Sequence, residues 1–417
     1  MVKERIWTKN FICLTVTNSL ANVASHMIMP VVPLLILSLG GTETHVGLLT
    51  TAFVISSIFI RMFLGILIRK LGRMVVGYAG VILTAIAIGL FCIAGSVGMT
   101  AVLRVAQGFG FGVTTTLFIA IVADILPDSR RGEGIGFFTM GVVIAMSIGP
   151  AISVIVMEKY GFNYAFLLSA VFPMIAALCL LFYKPPGRAS ADAADASGAV
   201  GAPAQEVGEH YPDEYEAEIK KPPKKESDLR ILIKPTSLFL AVLLIINGMC
   251  RTADMNYISI FAKVRELDYL AWYFTVQTIA SITVRFFVGR IADRKGRSWV
   301  IIPGGISIIM AMVLLSVAQA GEVMLLAGFL NGIGIGVLVP SMQLWMFDTF
   351  GPSRRDLASA MYFNFYDVGV SVGAILLGLL AEHVGYTFMW QATAIAAVLF
   401  LVLYLCFGRE RRTAKLP

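Results

Sequence analysis

Long apolar runs, separated by short polar segments, extend along the whole chain. Each run has about 20 residues, enough for a helix to cross the hydrocarbon core of a bilayer. Because lipid offers no hydrogen-bond partners, each run must satisfy its own backbone polar groups, and helices do so. We therefore predict an all-α membrane protein with twelve spans, at residues 11–37, 44–68, 75–95, 99–124, 135–157, 162–183, 237–262, 268–290, 299–319, 322–348, 358–381 and 386–407.

One polar segment interrupts this pattern near the middle of the chain. Residues 185–235 are rich in Ala, Pro, Lys, Glu and Asp, with runs such as KKPPKKES. Such a composition buries too little apolar surface to fold and is typical of a disordered linker. We predict an N-terminal six-helix bundle at residues 1–184, a cytoplasmic disordered linker at 185–235 and a C-terminal six-helix bundle at 236–417.

The composition also indicates a membrane protein. Of the 417 residues, 58% are hydrophobic and 14% are charged, whereas soluble domains carry roughly 25% charged residues. The mean hydropathy is +0.81. A chain with this much apolar surface cannot bury it internally, so lipid is its expected solvent.

The net charge of +7 arises mainly from basic residues in the segments between spans. Lys and Arg concentrate at both termini, in the linker and after the even-numbered spans, whereas the opposite loops hold only Lys159, Lys263 and Arg265. By the positive-inside rule, both termini and the linker are predicted to be cytoplasmic, with the protein in the plasma or inner membrane. The charge is therefore no sign of a nucleic-acid partner. The first apolar run lacks a small-residue cleavage site and is interpreted as a span rather than a signal peptide.

Motifs for nucleotide, metal or nucleophilic chemistry are missing from the sequence. There is no P-loop, HExxH or Ser-His-Asp set, and the five cysteines fall singly in apolar runs. The runs GFGFG and GIGIG lie inside spans, where we expect them to pack helices together. They do not follow strands, so they do not predict a dinucleotide site. We expect no enzyme, no metal and no cofactor. The expected energy source is an ion gradient, most simply of protons, and the expected partners are lipid and a small-molecule substrate, for a monomer.

Two stretches that lie 224 residues apart have similar sequences, RMFLGILIRKLGR at 61–73 and RFFVGRIADRKGR at 285–297. The same offset aligns RVAQGFGFG at 104–112 with GFLNGIGIG at 328–336. A constant offset of this kind indicates an internal duplication of six helices. Paired bundles related by an axis along the membrane normal are typical of transporters, whose substrate site lies between the halves near the midplane.

These motifs resemble the major facilitator superfamily over essentially the whole chain outside the linker. The family's loop between helices 2 and 3 follows the pattern G-x-L-x-D-R-x-G-R. Residues 65–73 fit it, except that Arg69 replaces the acid, and residues 289–297 keep the acid as Asp293. The resemblance implies the twelve-helix fold of that family, with two pseudo-symmetric bundles.

Two further motifs are similar to those of the family. Gly149 and Pro150 loosely resemble the helix-5 motif of its proton-driven exporters, without the usual following Gly pair. This resemblance implies the drug/proton antiporter branch. Helix 4 resembles the family pattern R-x-x-Q-G-x-G through Arg104, Gln107, Gly108, Gly110 and Gly112.

Glycine and basic residues near the cytoplasmic ends of the spans are predicted to control gating. Glycine permits a tight turn, and basic side chains beside it bind lipid phosphates and helix C-termini. The alternative is that these basic residues only set the topology. Asp293 is expected to form a latch with Arg354 or Arg355. The predicted gating residues are Gly65, Arg69, Gly72, Arg73, Arg130, Arg131, Gly149, Pro150, Gly289, Asp293, Arg294, Gly296, Arg297, Arg354 and Arg355.

Arg61 and Arg285 occupy equivalent places inside spans of the two halves. Arg61 precedes the end of its span by roughly 12 Å of helix, which puts it near the midplane of a ~30 Å core. Intramembrane charge costs about 2.5–3.5 kcal/mol per group, so each such residue is a functional candidate. The two arginines either snorkel to cytoplasmic phosphates or face the central cavity, ready for a carboxylate or phosphate.

Polar residues also form stripes on helices 1, 7 and 11. Arg251 and Asp254 either neutralise each other or act as a switch. His26 is either a hydrogen-bonded core residue or a titrating group. Arg104 either tunes a neighbouring acid or caps backbone carbonyls. The predicted substrate-binding residues are Asn18, Asn22, His26, Arg61, Asn247, Arg251, Asn256, Tyr257, Gln277, Arg285 and Asn364. The predicted proton-coupling residues are His26, Arg104, Asp254 and Asp367.

The spans contain more arginine than acid, so the cavity is predicted to lean positive and to favour an anionic, zwitterionic or neutral substrate. We predict a secondary transporter that works by alternating access, with proton-coupled efflux of a small metabolite or drug. The alternative is export or uptake of an organic anion or zwitterion, such as a carboxylate-rich metallophore or sugar acid. A membrane sensor or enzyme partner would need a soluble domain or a catalytic set, and a channel would not carry gating loops on one side only.

Overall fold

The computed structural model describes residues 6–127, 130–183, 235–350 and 355–408. Helices occupy nearly all of these ranges. The helices of the N-terminal half are α1 (Lys9–Ser38), α2 (Glu43–Leu71), α3 (Arg73–Leu90), α4 (Val97–Ile125), α5 (Arg131–Tyr160) and α6 (Phe162–Leu180). Those of the C-terminal half are α7 (Pro235–Val264), α8 (Leu270–Lys295), α9 (Ser298–Val317), α10 (Gly321–Phe350), α11 (Arg355–His383) and α12 (Tyr386–Phe407).

Ten of these helices, within the described ranges, are long and apolar enough to cross a membrane. The other two, α5 with 30 residues and α8 with 26 residues, also have membrane length. The chain is therefore an all-α, multi-pass membrane protein, and its helices fall where the apolar runs predict them. Residues 184–234, which include almost all of the predicted linker, lie outside the described residues.

Two of the spans are not continuous α-helices. In α1, the segments Lys9–Met27 and Val31–Ser38 are separated by a turn that contains Pro30, a residue with no N–H to continue a helix. In α7, a π-helical turn at Ala253–Tyr257 lies between two α-helical segments. Such turns are frequent at functional sites, and this one carries Asp254.

The tight turns between helices repeat in the two halves. Gly72 and Gly296 have φ of +83° and +95°, and Gly161 and Gly385 have φ of +92° and +97°. These angles are open to glycine and strained for other residues. Each pair is 224 residues apart, so the predicted duplication extends to the geometry of the loops.

Glycines bring helices into close contact at the same place in each half. A Cβ atom on Gly108 of α4 would lie 2.3 Å from the carbonyl oxygen of Phe53 on α2, and one on Gly332 of α10 would lie 2.2 Å from that of Gln277 on α8. Small residues permit such approach in lipid, where packing drives helix association. The prediction that GFGFG and GIGIG pack helices is confirmed.

The two halves meet along α2 and α11. At the end that the charge pattern predicts to be outside, the backbone N–H of Thr44 donates to Oε2 of Glu382 at 3.0 Å. In the same region, the Tyr386 hydroxyl of α12 donates to Oε1 of Glu43 at 2.7 Å. Glu382 thus accepts from one of the free N–H groups at the start of α2.

Backbone packing continues this junction along the two helices. The Thr51 hydroxyl donates to the carbonyl oxygen of Ser371 at 3.0 Å, and a Cβ atom on Gly47 would lie 2.2 Å from the carbonyl oxygen of Ala374. We call the contacts of Glu43, Thr44 and Thr51 with Tyr386, Glu382 and Ser371 the outer contact. It closes the space between the halves at this end.

Candidate functional site

An ion pair joins the two halves further along α2 and α11. Nη1 of Arg61 lies 3.1 Å from Oδ2 of Asp367, and the two side chains are 19% and 22% exposed. Arg61 also donates to the Thr115 hydroxyl of α4 at 3.4 Å. Neither member of the pair is fully buried. Arg61 therefore bonds to a carboxylate of the opposite half and does not point to the membrane surface.

Asp254 is the centre of a buried network within the C-terminal half. It is 1% exposed and is paired with Arg251. The Tyr273 hydroxyl donates to Oδ1 at 2.5 Å, and Nε2 of Gln277 lies 3.1 and 3.0 Å from the two carboxylate oxygens. Asn331 extends the network to the Tyr273 hydroxyl at 3.4 Å. Arg251 therefore compensates the charge of the Asp254 carboxylate, as one of the two predicted roles requires. The other predicted role, a switch, would have to break this pair.

Arg285 has a different environment. The side chain is half-buried, its Nε is buried without a hydrogen-bond partner, and it forms no ion pair with a carboxylate among the described residues. Tyr362 and Arg251 lie within electrostatic range of it. Arg285 is therefore a guanidinium whose charge the neighbouring described side chains do not neutralise.

Arg104 is an equally uncompensated cation in the N-terminal half. It is 2% exposed, its Nη1 donates to Oε1 of Gln107 at 3.2 Å, and its guanidinium carbon lies 5.5 Å from the centre of the Phe53 ring. The cation–π contact and the amide stabilise the charge. No carboxylate pairs with Arg104 in the part of the chain that the structure describes, so the acid that it was predicted to tune is not among its contacts there.

The polar stripe predicted on α1 forms a ladder. Nδ2 of Asn22 donates to the carbonyl oxygen of Asn18 at 2.8 Å, and Nδ1 of His26 lies 2.8 Å from that of Asn22. All three side chains are buried, and His26 lies within electrostatic range of Arg251 in the other half.

The remaining predicted substrate residues lie on α7 and α11. Asn247 lines a narrow cleft together with Arg251, Asn331 and Tyr366. Asn256 is buried, and Tyr257 is fully buried, donating to the carbonyl oxygen of Ala374. Asn364 is half-buried on α11.

Two equivalent ion pairs lie at the end of the bundle that is predicted to be cytoplasmic. Arg73 pairs with Asp124 at 2.5 Å, and Arg297 pairs with Asp348. Each joins the start of α3, or the residue that precedes α9, to the last turn of α4 or α10 in the same half. The sequence placed these arginines in the gating set but did not identify their partners, although the 224-residue offset aligns the two aspartates.

The other predicted gating residues divide into three groups. Arg69 and Arg294 are exposed, and Gly65, Gly289 and Arg130 are at least partly exposed. Gly149 and Pro150 are buried in α5, where a Cβ atom on Gly149 would lie 3.0 Å from the carbonyl oxygen of Val23 on α1. Arg354 and the side chains of Arg131, Asp293 and Arg355 lie outside the described residues, so the latch between Asp293 and Arg354 or Arg355 stays a prediction.

An apolar groove of about 870 Å³ lies away from these charges, on the outside of α3, α5 and α6. Its walls include Ile86, Tyr160, Tyr164 and Leu167, which are exposed. A surface of this kind faces acyl chains in a bilayer. The groove is therefore a lipid-facing surface, and the charged residues between the halves form the candidate substrate site.

Two like bundles of membrane-spanning helices, with charged side chains between them, define a membrane transport protein. The family model of the Major Facilitator Superfamily matches residues 14–274 and 266–417. The chain belongs to that family, and it is a transporter rather than an enzyme.

Among curated proteins, the chain is 22% identical over 303 residues to a probable sugar efflux transporter of Pasteurella multocida, covering 71% of this chain and 67% of the relative. It is 20% identical over 370 residues to the staphylopine export protein of Staphylococcus aureus, covering 88% and 87%. It is 28% identical to the quinolone resistance protein NorA of S. aureus over 126 residues, which are 30% of this chain and 32% of the relative.

Solved structures share the fold. The nucleoside transporter NupG superposes with a TM-score of 0.69 at 13% identity, covering 97% of this chain and 100% of its own. A bacterial homologue of the human lysosomal transporter Spinster, in an inward-facing and unoccupied conformation, superposes with a TM-score of 0.70 at 16% identity, covering 97% and 96%.

Proposed function

We propose that this transporter exports a small metabolite or drug in exchange for protons, by alternating access, in the cell membrane with both termini in the cytoplasm. The observation that carries this proposal is the Arg61–Asp367 ion pair between the halves. Because the Asp367 carboxylate bonds across the interface between the halves, its protonation changes the contact between them. The names of the sugar efflux and staphylopine export relatives support the export direction.

The chemistry of the pair supplies the coupling step. Protonation of Asp367 removes its charge, so Arg61 loses the Coulomb attraction of the ion pair and keeps at most a hydrogen bond from its guanidinium to a neutral carboxylic acid. The link between α2 and α11 then weakens and the two bundles are free to rock. Release of the proton from Asp367 on the other side of the membrane restores the ion pair.

Purified protein in liposomes with an internal pH-sensitive dye tests this proposal. A pH gradient is imposed, and cationic dyes, drugs and carboxylated metabolites are screened for substrate-triggered proton movement. Asp367→Asn should abolish the coupled proton movement while substrate exchange persists. Asp268→Asn, in an exposed loop between α7 and α8, is the control and should match the unsubstituted protein. Undiminished proton movement in Asp367→Asn would overturn the proposed coupling role.

A second candidate function is transport of a defined organic anion or zwitterion. Arg285, whose charge has no carboxylate partner among the described residues, favours it. In a low-dielectric site such a cation attracts a carboxylate or phosphate strongly. In the same liposome screen, a response confined to carboxylated compounds would support this candidate, and a response confined to cationic dyes would exclude it.

A further inference from the structure

The charged groups between the halves differ in how far their neighbours already satisfy them. Asp254 is paired with Arg251 and accepts from Tyr273 and Gln277, so a substrate would have to break a buried network to reach it. Arg61, Asp367 and Arg285 are more accessible. The first two are partly exposed, and the third has no carboxylate partner in the described part of the chain.

Arg61 and Arg285 each retain unused hydrogen-bonding capacity. The Nε atom of each is buried without a partner, and a guanidinium can donate five hydrogen bonds in a planar fork. Such a fork matches a carboxylate, which accepts two parallel bonds. Both arginines thus keep a donor that no described group satisfies.

Arg285 is linked to the Arg61–Asp367 pair through the tyrosines of α11. Tyr362 of α11 lies within electrostatic range of both Arg285 and Asp367, and its ring stacks on that of Tyr366 at 6.2 Å between centroids. Tyr366 in turn is within range of Asp367, Arg251 and Asp254. Arg61 of α2 therefore pairs with Asp367, Tyr362 and Tyr366 of its own helix lie near it, and Arg251 and Asp254 of α7 lie within electrostatic range of Tyr366.

We infer that the site takes an aminodicarboxylate, a zwitterion with two acid groups and one amine. This inference rests on the proposed transport function. The amine pairs with Asp367 and the two acid groups pair with Arg61 and Arg285, so that each accessible charge meets its opposite. When the site holds no substrate, Arg61 and Asp367 pair with each other. A proton on Asp367 excludes the amine, which makes proton and substrate binding mutually exclusive.

Other substrate classes fit the three charges less well. A lipophilic monocation would satisfy Asp367 but would lie beside two guanidiniums, and like charges brought together cost free energy in a low dielectric. A dicarboxylate without an amine would satisfy both arginines but would bring two carboxylates close to Asp367 with no added cation, and like charges repel in a low dielectric.

The test measures binding by calorimetry on the purified full-length chain. The probes are a series of increasing length, L-aspartate, L-glutamate, 2-aminoadipate and 2-aminopimelate. Each is compared with the dicarboxylate that lacks its amine and with the amino acid that lacks its second acid. Each analogue lacks one charged group that hydrogen-bonds to the site, so the best aminodicarboxylate should bind roughly tenfold or more tightly than either analogue.

Three variants assign the groups. Asp367→Asn should remove only the preference for the amine, and Arg285→Gln only the preference for the second acid. Arg285→Lys should retain part of that second preference, which separates a charge effect from a loss of folding. Arg265→Gln, an exposed arginine near the end of α7, is the control and should bind all probes as the unsubstituted chain does.

The outcomes separate this inference from the proposed function. Failure of all four aminodicarboxylates to bind, or binding no tighter than their analogues, would overturn the inference even if a pH gradient drives efflux of other compounds. Preferential binding of an aminodicarboxylate without any coupled proton movement would support the inference and overturn the proposed proton exchange.

Discussion

The Tyr386 hydroxyl donates a hydrogen bond to the Glu43 carboxylate at 2.7 Å, and this bond joins the first turn of α12 to the first turn of α2. The two residues belong to different halves of the duplicated chain. Their bond, with that from Thr44 to Glu382, holds the halves together at the end that is predicted to face outside. The state described is thus one in which this end is closed.

Removal of the Tyr386 hydroxyl should favour opening at this end. A hydrogen bond to a charged group contributes about 1.5–3 kcal/mol, so Tyr386→Phe should raise the population of the open state by roughly tenfold or more. The rate at which an impermeant thiol reagent modifies Thr51→Cys, in a background without native cysteines, measures this change. Tyr160→Phe, an exposed tyrosine at the same end, should leave the rate unchanged. Equal rates in both variants would show that the bond does not hold the closed state.

Close packing through Gly108 should be sensitive to a single methyl group. A Cβ atom there would lie 2.0 Å from the Ser56 hydroxyl and 2.3 Å from the Phe53 carbonyl oxygen. Overpacking of this kind costs typically about 1–3 kcal/mol, so Gly108→Ala should lower the thermal unfolding temperature in detergent. Gly98→Ala, in the same helix with no atom within 4 Å of its Cβ, is the matched control. An unchanged unfolding temperature in Gly108→Ala would mean that α2 and α4 can separate at little cost.

Asp254 should matter more for stability than for proton coupling. Asp254→Asn leaves the buried Arg251 without its anion, and a broken buried pair costs about 3–5 kcal/mol. Tyr273→Phe removes one hydrogen bond and should cost about 1 kcal/mol. Chemical denaturation in detergent checks both values, with Asp268→Asn as the exposed control. A fully stable Asp254→Asn variant with uncoupled transport would instead assign Asp254 to proton transfer.

The Arg73–Asp124 pair should affect transport more than stability. Its side chains are 41% and 39% exposed, and exposed ion pairs are worth at most about 1 kcal/mol. Arg73→Asp or Asp124→Arg alone should therefore slow transport with little change in unfolding temperature, because like charges then meet between α3 and α4. The double exchange restores an opposite pair and should recover the rate. Transport that stays slow in the double variant would contradict a role for the pair itself.

The positions of the helices were predictable because the bilayer imposes a simple rule on length and polarity. The turns at Gly72 and Gly296 were predictable for a similar reason, since their positive φ angles demand glycine. The packing role of Gly108 and Gly332 followed from small residues at helical spacing. Each of these features is a local consequence of the sequence.

The pairing of charges was not predictable in this way. Arg61 and Asp367 are 306 residues apart and lie in different halves, so no local pattern connects them. The π-helical turn that carries Asp254 contains neither Pro nor Gly. Tyr273, Tyr362 and Tyr366 lie in apolar runs, where a tyrosine is ordinarily a packing residue, and only the contacts of their hydroxyls and rings set them apart.

The outer contact and the central ion pair lie on one helix, α2. Thr44 and Arg61 are separated by roughly 25 Å of uninterrupted helix, and α2 has no Pro to bend it. This one helix is held by Asp367 beyond its middle and by Glu382 at its start. Under the proposed coupling, release of the first contact is therefore transmitted along α2 to the second, so a proton taken up between the halves acts on the outer contact at a distance.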